Sequence, residues 1–280
     1  MTHYSEKTFH KLPSYLMIAP LLVIFLILGF IIYNNALSAD GYVNIQKSWF
    51  YFLNKHLSRF PDVQNNLTQL GDAFIVLSLL SVFYILYPNF WHVLIRSSIL
   101  SLFLSKIPKS LFYIPRPATC YELNTFQIIG KKIVGFSSCP SGHSITIFTW
   151  LVVVLLFFSP EKRSYRFIYW LIGLSIGLFI ALSRVAVGAH HPLDVLLGSS
   201  LGAFAAIIGL LSVKKFNFFE WMSNRKYHPI FIALFSISAI VLCIRIYQEP
   251  LTIYFFSLLS LCFAIYLTTK KYYERKNIIE

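Results

Sequence analysis

Three short stretches carry side chains that an apolar chain has little reason to keep. Lys109 to Pro117 reads KSLFYIPRP, Pro140 to His143 reads PSGH, and Ser183 to Asp194 reads SRVAVGAHHPLD. Together they hold Lys109, Arg116, Arg184, His143, His190, His191 and Asp194. Arginine offers a two-pronged donor to phosphoryl oxygens and lysine a point charge. Pro140-Ser141-Gly142, leading into a helix near His143, offers free backbone N–H groups and the positive end of a helix dipole, a cradle for an anion. His190 precedes Asp194 by four residues across Pro192, a spacing that suits the first turn of a helix. There a carboxylate can accept a hydrogen bond from the imidazole, fix its tautomer and leave the other ring nitrogen free to attack or to take a proton. Two histidines, His143 and His190, on either side of a phosphate would then be an attacking group and a proton donor to the leaving oxygen.

Each residue also has a plainer reading. Asp194 could compensate a helix dipole, His190 and His191 could be interfacial, Lys109 and Arg116 could snorkel at a helix end, and Gly142 could serve packing. Taken singly the plainer readings are stronger. Taken together, all on one side and all suited to phosphate, the residues favour chemistry. A metal site made from His143, His190, His191 and Asp194 is the competing chemical reading. No HxxxH or HExxH pair lies within a helix and the neighbouring cations would repel a divalent ion, so metal-free phosphoryl transfer ranks above it.

The elements that position these clusters must be membrane helices. Of 280 residues 57% are hydrophobic and 12% charged, where a soluble domain carries about a quarter charged residues. Apolar runs of bilayer length, roughly 20 residues, recur along the chain. The expected fold is all-α, a polytopic helical bundle of about eight spans: Tyr15–Tyr33, Ala73–Leu86, Phe90–Ile107, His143–Phe158, Phe167–Val187, Pro192–Val213, Pro229–Tyr247 and Leu251–Thr269. The first is too long for a signal-peptide core and is followed by no obvious small-residue cleavage site, so it reads as a retained span.

Basic residues give the orientation. With the N-terminus cytoplasmic, that side receives Lys7, Lys11, the loops EKRSYR and KKFNFFEWMSNRKYH, and the tail KKYYERKNIIE. The three polar clusters then face the opposite side. The net charge of +13 is mostly this topology signal and an affinity for anionic lipid; it does not imply nucleic acid as a partner. Cys243 and Cys262 lie in apolar helices. Cys120 and Cys139 lie near the two ends of one outward loop; in an oxidising compartment a disulfide would pin those ends, and the alternative is two free thiols. The piece VNIQKSWFYFLNKHLSRF has one aromatic and leucine face and reads by default as a surface connector, with a lipid-guiding helix as the alternative.

The three clusters resemble the signature of the type 2 phosphatidic acid phosphatase superfamily, K-x6-RP, PSGH and SR-x5-H-x3-D, complete, in order and correctly spaced. The resemblance covers a six-span core, residues 15–213, after a cytoplasmic N-terminus at 1–14. A cytoplasmic loop at 214–228, two extra spans at 229–269 and a cytoplasmic tail at 270–280 lie beyond it. It implies that His190 becomes a phosphohistidine, that Asp194 orients it, and that His143 protonates the leaving group. It implies further that Lys109, Arg116, Ser141, Gly142 and Arg184 hold the phosphoryl oxygens, and that no metal or cofactor is needed. Family spacing selects His190 over His191, which is left as a pocket wall.

The implied activity is hydrolysis of a lipid phosphate or diphosphate at the outer face of a bacterial inner membrane. Undecaprenyl pyrophosphate, phosphatidylglycerophosphate, phosphatidic acid and lipid A are the candidate substrates, and the loop Ala118–Ser138 would shape the choice. The partners expected are the lipid substrate and bilayer lipids, with no obligate protein partner. Two alternatives stand: transfer of the phosphoryl group to another lipid, which motifs cannot separate from hydrolysis, and non-catalytic binding or transport, which would not need two histidines and an orienting carboxylate.

Overall fold

A backbone in hydrocarbon has no water to bond with, and a helix satisfies it internally. The computed structural model describes residues 14–213 and 218–274, and every regular element in them is helical. A 3-10 turn at Ser14–Met17 leads into α1 (Ile18–Tyr33). Three short helices follow: α2 (Ala39–Asn44) and the amphipathic α3 (Lys47–Leu57) and α4 (Pro61–Gln69). Then come α5 (Ala73–Leu79), α6 (Phe83–Leu86), α7 (Pro88–Phe112), α8 (Pro117–Cys120), α9 (Gly142–Phe157), α10 (Arg163–Ala186) and α11 (Pro192–Val213). After 3-10 turns at Glu220–Ser223 and Arg225–Tyr227, α12 (His228–Gln248) and α13 (Thr252–Glu274) form a hairpin. Lys7, Lys11, Lys214, Lys215 and residues 275–280, used above for orientation, lie outside the described residues.

Among the described residues six helical stretches are long and apolar enough to cross a bilayer: Tyr15–Tyr33, Pro88–Cys120, Arg163–Ala186, Pro192–Val213, Arg225–Gln248 and Thr252–Glu274. The two other expected segments differ from these. α9 has 16 residues, and Ala73–Leu86 is broken between α5 and α6. The carbonyls near the break are met from α13: Ser260 Oγ donates to Leu79 O at 2.7 Å and Ser257 Oγ to Ile75 O at 3.3 Å. Large apolar side chains such as Phe25, Leu26, Phe167, Ile240 and Leu259 are more than half exposed, as a lipid-facing surface requires. The chain is a membrane protein.

α7, α9 and α11 form the central packing unit; α10 flanks α9, α1 lies on α11, and the α12–α13 hairpin packs on α5. Small residues let backbones approach closely inside a membrane. A Cβ at Gly202 of α11 would stand 2.3 Å from Ile145 O of α9, and one at Gly209 would stand 2.0 Å from Ser97 Oγ of α7. This packing brings the C-terminal ends of α7 and α10 to the same end of the bundle as the N-terminal ends of α9 and α11.

The stretch Val43–Phe60, read from sequence as a surface connector, is more than that. Gln46 and Asn54, with Gln64 and Thr68 beyond it, are buried. Gln46 Oε1 accepts from Leu193 N at 2.8 Å, satisfying an otherwise free N–H at the start of α11. Asn54 Nδ2 donates to the carbonyls of Gln127, Val185 and Ala186, and its Oδ1 accepts from Gln127 N. One buried amide thus ties the end of α10 to the long loop that precedes α9.

Candidate active site

The turn between α10 and α11 sets the site. Arg184 O accepts from both Ala189 N (3.0 Å) and His190 N (3.2 Å), which closes α10. Gly188 takes a left-handed φ of +73°, and a Cβ there would meet Gln127 O at 2.8 Å, so glycine is required on both counts. The reversal drops His190 into the bundle, 1% exposed, directly above the first turn of α11.

Asp194 is fully buried in that first turn. Its Oδ1 accepts from Tyr42 Oη at 2.8 Å. Its Oδ2 accepts from Ser138 Oγ at 2.6 Å and from His191 N at 2.9 Å, and lies 3.5 Å from His190 Nδ1. The last separation exceeds a normal N–H···O bond, and Nδ1 has no other hydrogen-bond partner. On the opposite side of the ring, Arg116 Nη1 lies 3.2 Å from His190 Nε2. A guanidinium only donates, so Nε2 carries a lone pair and the ring proton belongs on Nδ1, toward Asp194. Burial, reinforced by Arg116 and Arg184 and opposed by Asp194, lowers the His190 pKa to about 3. The imidazole is therefore neutral at physiological pH.

Arg116 is itself fixed. Nη1 donates to Ala189 O at 3.0 Å and Nη2 to Ser137 O at 3.2 Å. Arg184, 4% exposed, donates from Nη1 to Thr68 Oγ1, and its Nε is unpartnered. Ser141 caps α9, its Oγ accepting from Ser144 N at 3.3 Å, while its own N–H donates to Asp194 O at 3.0 Å. That last bond ties the PSGH turn to the His190–Asp194 turn. Lys109 Nζ lies beside Gly142, 3.2 Å from where a Cβ would stand, with Ser105 Oγ at 2.7 Å from the same point. His143 follows on the first turn of α9 and is half-buried. Three cationic side chains, a helix N-terminus and two imidazoles thus converge on one end of the bundle, an arrangement that can hold a phosphoryl group and attack it.

His191 is turned elsewhere. Its Nε2 lies 3.1 Å from Pro115 O and its ring packs edge-on against Phe50 and Tyr121. His143, His190, His191 and Asp194 therefore do not point at a common centre. The disulfide expected between Cys120 and Cys139 is not formed; both thiols are free. Cys139 is buried with its sulfur 3.4 Å from Tyr42 Oη, whereas Cys120 turns outward and donates to Arg116 O at 3.3 Å. Burial, with Asp194 nearby, holds the Cys139 thiol well above its usual pKa, so it stays protonated.

Sequence reasoning missed Tyr42 and Ser138 on Asp194, Thr68 on Arg184, and Gln46 and Asn54 behind them. None belongs to a motif. The available signals were Gln46 and Asn54, eight residues apart in an aromatic-rich stretch, and Gln64 and Thr68, four apart on the following helix.

The family model described as the PAP2 superfamily matches residues 74–218. The chain is 29% identical over 117 residues to an undecaprenyl-diphosphatase of Sulfolobus acidocaldarius, covering 42% of this chain and 52% of that one. It is 33% identical over 73 residues to a lipid A 1-phosphatase of Rhizobium johnstonii, covering 26% and 27%. The matched stretches thus span about half and about a quarter of those relatives' lengths. The crystal structure of a transmembrane PAP2-type phosphatidylglycerolphosphate phosphatase from Bacillus subtilis superposes with a TM-score of 0.50 at 20% identity, over 74% of this chain and 100% of that one, a likeness of fold. Its six-helix span pattern, the ordered motifs on four helix ends and a family match over more than half of its residues place this chain in the PAP2 superfamily.

Proposed function

We infer that this chain is a metal-independent membrane lipid phosphatase that works through a phosphohistidine. The observation that carries the reading is the neutral, buried His190, with its Nε2 lone pair facing Arg116 and its Nδ1 facing Asp194. A phosphate ester docks with its oxygens on Arg116, Arg184, Lys109, Ser141 and the Gly142 N–H. His190 Nε2 attacks phosphorus, the bond to the leaving oxygen breaks, and His143 gives that oxygen a proton. Water then attacks the phosphohistidine and His143 takes back a proton; inorganic phosphate leaves and His190 returns to neutral. The transition state spreads charge over the equatorial oxygens, and fixed cations stabilise it without covalent help. Asp194 compensates the positive charge that grows on the ring during attack.

The substrate is a lipid phosphate or diphosphate. An apolar tail leaves a bilayer only at high cost, so the head group is reached laterally from the leaflet. The names of the curated relatives, an undecaprenyl-diphosphatase and a lipid A 1-phosphatase, support this class. The cationic site suits phosphatidylglycerophosphate and phosphatidic acid equally well. The basic loop at the far end of α10 supports a bacterial cytoplasmic membrane with cytoplasmic termini and the site facing outward.

The test is phosphate release by purified protein in detergent, with chelator, over these four lipids, for wild type, His190→Ala and His143→Ala. Release that survives chelation and is lost in both variants is the expected result. A folded wild type that releases nothing from any of them overturns the reading and leaves transfer to a lipid acceptor or binding alone.

A further inference from the structure

The α12–α13 hairpin lies beyond the stretch matched by the family, residues 74–218. Its turn is nonetheless joined by three polar contacts to the corner between α4 and α5. Arg245 Nη1 donates to Asp72 Oδ2 at 2.9 Å, Glu249 Oε1 accepts from Asn65 Nδ2 at 2.6 Å, and Ile253 N donates to Asn66 Oδ1 at 3.1 Å. The Arg245 guanidinium also lies over the Phe74 ring, 4.9 Å from its centre. Asp72 uses its other oxygen to cap α5, accepting from Phe74 N at 2.9 Å.

The inner side of the same corner touches two site residues and the α9 helix that carries one of them. Thr68 Oγ1 accepts from Arg184 Nη1. Leu70 O accepts from Trp150 Nε1 of α9 at 3.1 Å. Gly71 lies so close to His143 that a Cβ would stand 2.5 Å from His143 Cβ and 2.8 Å from Cδ2. Five residues, Thr68 to Asp72, therefore contact the imidazole, an arginine of the site and the outer hairpin at once.

We propose that the C-terminal hairpin is a positioning brace: through Arg245–Asp72, Glu249–Asn65 and Ile253–Asn66 it presses the Thr68–Asp72 corner onto His143 and Arg184. This rests on the reading of His143 as the proton donor. Arg245 and Asp72 touch no reacting atom; they act by fixing where His143 stands. Release of the brace loosens proton donation more than phosphate binding, because Arg116 is held by Ala189 O and Ser137 O, and Ser141 by Asp194 O.

The experiment compares wild type, Arg245→Gln, Asp72→Asn and the conservative Arg245→Lys, with thermal midpoints measured alongside. Steady-state rates are taken on an alkyl phosphate lipid and on an aryl phosphate, whose leaving group needs little protonation. In Arg245→Gln and Asp72→Asn, kcat on the alkyl ester falls on the order of tenfold with KM unchanged. The aryl ester is nearly unaffected, and Arg245→Lys recovers most of the loss. Hydrogen exchange, which needs no activity, rises in residues 66–73 and in the first turn of α9. Equal losses on both esters, losses that follow the thermal midpoint, or exchange confined to α12 and α13 overturn the brace. Absence of phosphate release by wild type would instead strike the phosphatase reading, and the exchange pattern would still decide the brace.

Discussion

Arg116 Nη1 lies 3.2 Å from His190 Nε2, on the atom that the proposed mechanism sends to phosphorus. In that mechanism the guanidinium would exchange the ring nitrogen for a phosphoryl oxygen, while its bonds to Ala189 O and Ser137 O hold the fork in register.

Arg116→Lys tests that geometry. Lysine keeps the charge but cannot hold both carbonyls and reach the phosphate. Phosphate release should lose on the order of a hundredfold in kcat/KM, with helicity by circular dichroism unchanged. A loss under about threefold would show that charge alone suffices.

Tyr42→Phe removes one donor from a fully buried carboxylate. Losing one partner of a buried charged group costs about 1–3 kcal/mol, which should appear as a lower thermal midpoint. The rate should also fall, since a carboxylate released at Oδ1 can turn its Oδ2 away from His190. Ser138→Ala removes a donor from the oxygen nearest His190 and should cost more in rate than Tyr42→Phe. Stability and turnover of the two variants, measured side by side, check both statements.

The depressed pKa of His190 gives a signed pH dependence. Unfolded, the imidazole takes a proton as pH falls through 6.5; folded, it resists until about 3. Between those values the unfolded chain binds more protons, so stability declines on acidification. The thermal midpoint of wild type should drop from neutral pH to about pH 4 more steeply than that of His190→Gln. The acid limb of kcat/KM should not coincide with an ordinary histidine, because the nucleophile is already deprotonated. Parallel midpoint curves for the two proteins would contradict the assignment.

Gly202→Ala places a methyl group 2.3 Å from a backbone carbonyl that cannot rotate aside. Separating α9 from α11 should cost about 1–3 kcal/mol and should also disturb activity, because the Ser141–Asp194 bond spans the same interface. Gly29→Ala meets nothing within 4 Å and serves as the silent control. Thermal midpoints of the two variants decide the matter.

The helical bundle and the three polar clusters were legible because both depend on local signals: long apolar runs, and turn residues beside cations. Span lengths were less so. The break at Leu80–Val82 carries no glycine or proline, and the serines that satisfy it lie about 180 residues later in the chain. The supporting shell was the least visible. Tyr42 and Asp194 are separated by 152 positions, and nothing in the wording around Tyr42 distinguishes it from other interfacial tyrosines. The disulfide expectation failed because loop ends that are close in sequence pattern were each already committed: Cys139 to Tyr42, and Cys120 to a carbonyl one turn back.

The interruption between α5 and α6 has a consequence for biogenesis. Its carbonyls at Ile75 and Leu79 accept from Ser257 and Ser260, which leave the ribosome long after α5 has met the membrane. Until α13 inserts, the break lacks these two hydroxyl donors in hydrocarbon. Assembly is therefore closed by the last helix rather than built outward from the first, and nascent chains halted before α13 should remain open to quality-control proteolysis.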